Sequence, residues 1–94
     1  MGEFTWQDGR AFLGNWKMNK KDGKGIFRWP DGRIYDGEYY NGKKQGYGKF
    51  TWPNGKTYAG WWFNGKQHGL GVVVTVDSEE IQGEWKYGNK VIWL

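Results

Sequence analysis

Residues 35–57 read YDGEYYNGKKQGYGKFTWPNGKT, and this stretch decides the fold. Tyr35, Gly37 and Tyr39 alternate with Asp36, Glu38 and Tyr40; further on, Gly48, Phe50 and Trp52 alternate with Lys49 and Thr51. A period of two is the signature of a strand, because successive side chains leave a pleated backbone on opposite faces. Between the two runs, Asn41-Gly42-Lys43-Lys44-Gln45-Gly46 opens with an Asn-Gly pair, and Pro53-Asn54-Gly55 follows the second run. Glycine and asparagine accept positive φ and proline presets the first turn position. Both segments therefore read as turns, and the unit reads as a β-hairpin.

Stepping 23 residues back from Tyr35 reaches Phe12, and stepping forward reaches Tyr58 and then Ile81. Gly14, Gly37, Gly60 and Gly83 keep the same register, as do Trp16, Tyr39, Trp62 and Trp85, with Gly23, Gly46, Gly69 and Gly25, Gly48, Gly71 behind them. The chain is a tandem array with units at 12–34, 35–57 and 58–80, a half unit at 2–11 and a partial unit at 81–94. Each unit buries its surface by stacking on its neighbours. The expected fold is all-β: an open, elongated, single-layer antiparallel meander of about eight short strands, forming one array over 1–94. Because the array starts in the middle of a unit, the sequence is expected to be a piece of a longer protein. Ile92 and Leu94 stand where a Gly-x-Gly pair is due, so Val91 to Leu94 are expected to cap the end.

A hydrophobic fraction of 37% and a mean hydropathy of -0.92 are too lean for an ordinary two-layer core. The burial must come from 8 Trp, 6 Tyr and 5 Phe. They fall on one pleat face: Phe12, Trp16, Phe27 and Trp29 in the first unit, Tyr35, Tyr39, Phe50 and Trp52 in the second, Tyr58 and Trp62 in the third. The repeating glycines share that face, where bare backbone lets rings pack closely. The stripe reads as a substitute core, and the outer edges of the same rings are compatible with a groove that binds a protein.

The spacing Y-x-G-x-[WY], then N-G, then G-x-G, then an aromatic strand ending in D/N-G, resembles the MORN repeat, named for membrane occupation and recognition nexus. The resemblance spans essentially the whole chain and weakens in the third unit, where Val73 and Thr75 replace Phe50 and Trp52 and Asp77-Ser78 replaces Asn54-Gly55. It implies an elongated, twisted β array that acts as a scaffold or targeting element, alone or attached to lipid kinases, methyltransferases, junctional or cytoskeletal proteins.

Lys20, Lys43 and Lys66 occupy equivalent places in the first hairpin turn of each unit, joined by Lys21, Lys44 and Lys90, and are expected to line one long edge. The net charge of +4 then concentrates on that edge, which suits acidic phospholipid headgroups or an acidic protein surface. Lysine also suits exposed turns and discourages edge aggregation, which accounts for the row equally well. On the face opposite the aromatic stripe, Trp61, Phe63, Leu70, Val72, Val74 and Val76 make the third unit oily where the others are polar. Such a patch marks an interaction surface, unless the carboxy-terminal segment folds back to cover it.

Nothing in the chain composes a catalytic constellation. Cysteine is absent, and His68, the only histidine, is expected to be a solvated turn residue. The Gly-x-Gly pairs lack the helix and Lys-Ser/Thr that a phosphate loop requires. No cofactor, metal or small-molecule substrate is expected. Aromatics interleaved with basic residues suit single-stranded nucleic acid, but packing already claims the rings, and nucleic acid is set aside. The absence of cysteine fits a reducing compartment, so the expected location is cytoplasmic, at the membrane periphery or cytoskeleton. The expected function is a non-enzymatic scaffold that binds a protein partner or a second copy of itself. The alternative is a peripheral membrane module that holds acidic phospholipids through Lys20, Lys21, Lys43, Lys44 and Lys66.

Overall fold

Two kinds of turn alternate along the chain and fold it into a meander. The computed structural model describes residues 2–94, which form nine strands: β1 (Gly2–Thr5), β2 (Ala11–Lys17), β3 (Lys20–Arg28), β4 (Ile34–Tyr40), β5 (Lys43–Thr51), β6 (Thr57–Phe63), β7 (Lys66–Val74), β8 (Glu80–Lys86) and β9 (Asn89–Trp93). Each strand pairs antiparallel with the next in a single sheet ordered β1 to β9.

The turns inside the units have two residues. Asn41 and Gly42 take φ of 52° and 86°, and Asn64 and Gly65 take 54° and 84°, values that fit a type I′ turn and the right-handed twist of the flanking strands. The turns between units follow a Trp-Pro-Asp-Gly-Arg plan. Trp29 N donates to Arg33 O at 2.9 Å and Gly32 N donates to Trp29 O at 3.1 Å, and the same pair of bonds closes the turns at Trp6, Trp52 and Thr75. Ser78 replaces glycine in the last of these and still adopts a φ of 68°.

Successive hairpins are tied at their tips. Gly42 N donates to Lys21 O at 2.8 Å, Gly65 N to Lys44 O at 2.9 Å, and Gly88 N to Gln67 O at 2.7 Å. The sheet measures 38 × 25 × 17 Å, elongated along the array and thick enough for one layer with side chains on both faces.

The core lies on the face anticipated from the period-two pattern. Phe12, Phe27, Tyr35, Tyr39, Tyr58, Trp62, Val73 and Trp85 are buried there, with Trp6, Trp29, Phe50 and Trp52 packed against them. Within each unit the first ring lies across a pair of facing glycines, as Tyr35 does over Gly37 and Gly48. The fourth unit obtains its ring differently. Ile81 has none, and Trp93 on the opposite strand covers Gly83 instead, edge-on to Trp85 at 5.7 Å.

Four expectations need correction. There are nine strands rather than about eight, because 89–93 pair with β8 as β9, a last strand that takes in most of the segment Val91 to Leu94 expected to cap the end. The turn expected over Asn41–Gly46 is only Asn41-Gly42, and Lys43 to Gly46 belong to β5. A bulge accommodates the extra length: Gly37 faces Gly48 while Tyr39 faces Lys44, and Gly46 takes a φ of 100° within it. Lys21 and Lys44 do not line the turn edge with Lys20, Lys43 and Lys66, because a two-residue turn sets them opposite Trp16 and Tyr39 on the aromatic face. His68 is likewise a β7 residue, with its ring between Phe63 and Tyr87 and its Nδ1 accepting a bond from Tyr87 N at 3.2 Å.

Candidate functional site

Two rows of rings run along the aromatic face. The first is an unbroken edge-to-face chain: Trp16, Phe12, Tyr39, Tyr35, Trp62, Tyr58, Trp85 and Trp93, with successive centroids between 4.8 and 5.7 Å apart. This geometry puts the positive edge of one ring on the negative face of the next. Two of these tyrosines also anchor their hydroxyls: Tyr35 Oη donates to Glu38 O at 2.9 Å and Tyr58 Oη to Trp61 O at 3.1 Å. Burial pushes the Tyr58 hydroxyl up to about 12, with the Tyr47 phenol adding to it. Burial raises Tyr35 and Tyr39 further still.

The second row is Phe4, Trp6, Phe27, Trp29, Phe50 and Trp52, in tilted contact at 4.4 to 5.6 Å. It stops in the third unit, where Val73 and Thr75 stand in place of rings. Arg10, Arg33 and Lys56 stack on Trp6, Trp29 and Trp52 at 5.1, 5.0 and 5.1 Å from the ring centroids. Asp8 and Asp31 hold the two guanidiniums in ion pairs of 2.9 and 2.8 Å. This outer wall of the face is therefore stiffened in every unit that has a tryptophan.

Between the rows lie Lys21 and Lys44. The Lys21 ammonium is surrounded by Trp6, Phe12, Trp16, Phe27 and Tyr39, all at 5.5 to 6.0 Å. Lys44 is set against Trp29, Tyr35 and Trp62 at 5.5 to 5.8 Å. Ring faces attract cations, while removal from water disfavours charge. Burial lowers both ammoniums from their ordinary range, with Arg10 adding for Lys21, and Lys21 and Arg33 adding for Lys44. One groove of about 290 Å³ is lined by both lysines together with Phe27, Trp29 and Tyr39, and by Lys43 at the neighbouring turn. A wider one of about 530 Å³ continues past Lys21 to Phe4, Trp6 and Trp16. Trp16 is 36% exposed there, whereas its counterparts Tyr39, Trp62 and Trp85 are 7 to 8% exposed.

The ten aromatic positions singled out from sequence thus fall into two structural roles. Phe12, Tyr35, Tyr39, Tyr58, Trp62 and Phe27 are buried and hold the sheet together, while Trp16, Trp29, Phe50 and Trp52 keep surface toward the groove or its wall. Trp6 and the stacked Arg10, Arg33 and Lys56 were missed as parts of the wall. The signal was present, because Trp6 aligns with Trp29 and Trp52, and a basic residue follows each turn glycine.

On the opposite face, Trp61 packs edge-on to Tyr47 at 5.5 Å. A shallow groove of about 280 Å³ there is lined by Tyr47, Ala59, Trp61, Leu70, Val72 and Leu94. Val72 and Val74 are half-buried, and Phe63 belongs to a separate cluster with His68 and Tyr87. Leu94 alone reaches the patch from the carboxy terminus, its N–H donating to Gln82 O at 2.8 Å. Lys20, Lys43 and Lys66 are exposed beside the two-residue turns, facing Lys17, Tyr40 and Phe63.

No curated protein matched the chain. The model of one family, the MORN repeat, matches three times in succession, over residues 12–32, 35–57 and 58–78. The matched segments coincide with the three full units and cover well over half of the chain. It belongs to the MORN-repeat family, whose repeats are non-catalytic modules for interaction with proteins or membranes.

Proposed function

We propose that the array is a docking module that binds a protein partner along the groove of its aromatic face. The observation that carries this reading is the groove itself: Lys21 and Lys44 lie between the partly exposed Trp6 and Trp29 of the outer row and an inner row that is buried beside them except at Trp16, on a sheet with no second layer among the described residues. Rings pinned by edge-to-face contacts lose little freedom on binding, which is what makes aromatic surfaces efficient contact area. The test is calorimetric titration with amphipathic helical peptides, comparing the native chain with Trp29→Ala. Binding that weakens about tenfold or more in the variant supports the reading, since truncating a central aromatic contact typically costs that much. Binding indifferent to Trp29, in a variant that remains folded, contradicts it.

The outer patch favours a second reading, self-association through the third unit. Trp61, Phe63 and Leu70 are 48%, 45% and 56% exposed on one face, more apolar surface than a single unit needs to show. Light scattering on Trp61→Ser/Phe63→Ser tests it: a dimer that becomes a monomer supports it, and an unchanged mass removes it. Phospholipid binding is the third reading and now draws on Lys20, Lys43 and Lys66. A headgroup contact made by exposed lysines weakens steeply with ionic strength. Vesicle binding that survives high salt is inconsistent with it.

A further inference from the structure

Lys21 and Lys44 are cations set into an aromatic groove, and among the described residues neither is within ion-pair distance of a carboxylate, although Glu3 lines the wider groove that Lys21 shares. The ion pairs among the described residues are Arg10 with Asp8 and Arg33 with Asp31, both at the turns between units. The strand positions that share a face with Lys21 and Lys44 are occupied by rings and glycines, from Phe12, Gly14 and Trp16 to Tyr35, Gly37 and Tyr39. Both ammoniums line the same groove. The charge on Lys21 is among the causes that lower Lys44, so the two sites act on each other, and a bound anion relieves both.

Building on the aromatic-face reading, we propose that Lys21 and Lys44 form a two-point anchor for an acidic amphipathic helix of a protein partner, laid across the strands with a carboxylate over each ammonium. The repeat sets the spacing. Equivalent residues in neighbouring units lie two strands apart, about 10 Å. On a helix, residues i and i+7 lie on one face about 10.5 Å apart. An extended segment does not match, because its same-face residues recur at about 6.6 and 13 Å, and the residue near 10 Å points away. The anchor has two points and not three. The third unit places Gln67 opposite Trp62, where Lys21 and Lys44 stand opposite Trp16 and Tyr39, and the outer ring wall ends at Trp52. The partner helix therefore carries its carboxylates over the first two units and neutral or apolar residues beyond them.

The tip lysines do not share this arrangement. Lys20, Lys43 and Lys66 are exposed beside the turns and none of them is set over a ring, although Lys43 also lines the groove, so a flat charged surface meets them before it meets Lys21 or Lys44. A helix that enters between the two ring rows meets Lys21 and Lys44 instead.

The probes are two dye-labelled amphipathic peptides, identical except for Glu or Gln at positions i and i+7 of the apolar stripe. Their binding is followed by fluorescence anisotropy at moderate salt. The Glu peptide is expected to bind about tenfold or more tightly than the Gln peptide, as charge-assisted hydrogen bonds in a partly desolvated groove are strong. That preference is expected to vanish in Lys21→Gln/Lys44→Gln, and to survive in Lys44→Arg, with circular dichroism and thermal unfolding verifying that each variant is folded. Equal binding of the two peptides overturns the anchor and leaves the docking groove standing. A preference that persists in Lys21→Gln/Lys44→Gln also overturns it, by placing the carboxylates elsewhere. No binding of either peptide removes both the anchor and the docking reading. Loss of phosphatidylserine vesicle binding in the double variant, with no peptide preference in the native chain, replaces the helix with a membrane as occupant and overturns the proposal.

Discussion

The ring of Tyr35 lies directly over Gly48, so that a Cβ added to Gly48 would stand 2.5 Å from Tyr35 Cζ. Gly48 is in extended backbone and faces Gly37 across the β4–β5 ladder, so its lack of a side chain serves packing and not conformation. Gly48→Ala is therefore expected to destabilise the sheet by about 2–3 kcal/mol through overpacking. Gly55→Ala, with nothing within 4 Å but a φ of 94°, is expected to cost about 1 kcal/mol of backbone strain alone. Urea unfolding of the two variants checks the order; equal losses would mean that the ring does not depend on bare backbone.

Tyr58 adds a hydrogen bond to its packing, through Oη to Trp61 O at 3.1 Å. Tyr58→Phe keeps the ring and removes the bond, leaving a carbonyl without that partner. The expected loss is about 1 kcal/mol. Tyr35→Phe is expected to cost a similar amount through Glu38 O, and any departure of the double variant from the sum measures the coupling through Trp62, on which both rings pack. Chemical denaturation of the three variants measures this.

Much of this was legible in the residues. The strands, the tandem register and the aromatic face followed from alternation and from glycines that keep step. The two lysines of the groove did not, for a definite reason. Treating Asn41 to Gly46 as one long turn leaves Lys44 at an edge, whereas a two-residue Asn-Gly turn sets Lys43 opposite Tyr40 and Lys44 opposite Tyr39, under the rings. The wide bulge at Gly46 then absorbs the residues that had looked like turn. The contribution of Trp93 to the core of the last unit was also hidden, because it comes from the strand opposite the one that bears a ring in every other unit. The outer patch was readable as composition, but not its division between Tyr47 with Trp61 and Phe63 with His68.

The first hairpin departs from the turn chemistry of the others. Met18 and Asn19 take φ of 52° and 65° where the later turns use Asn-Gly or Tyr-Gly, and Met18 is exposed. A methionine in the left-handed region is strained. Met18→Asn/Asn19→Gly is expected to stabilise the chain by about 1 kcal/mol by relieving that strain. A thermal unfolding midpoint that stays put or falls would contradict the turn assignment.

Alkaline pH acts on the two kinds of buried group in opposite directions. A phenol whose pKa is raised by folding, as at Tyr58, stabilises the sheet fully below the unfolded value near 10, and that contribution is lost as pH climbs toward about 12. Lys21 and Lys44, lowered by folding, penalise the native state at neutral pH, and the penalty is relieved as pH rises to the unfolded value of 10.5. Stability is expected to hold or rise slightly up to about 10 and to fall beyond it. Thermal unfolding along that range, with tyrosinate absorbance recorded in parallel, tests the crossover; no loss by about 12 would place the phenols in water.

The most direct test of the docking groove is a nitrogen-15 correlation spectrum of the indole N–H groups during titration with the i, i+7 Glu helix. Signals from Trp6, Trp16 and Trp29 are expected to shift together and saturably, while Trp61 on the opposite face and Trp93 at the far end stay in place. Shifts led by Trp61, or none at any tryptophan, would contradict a partner site on the aromatic face.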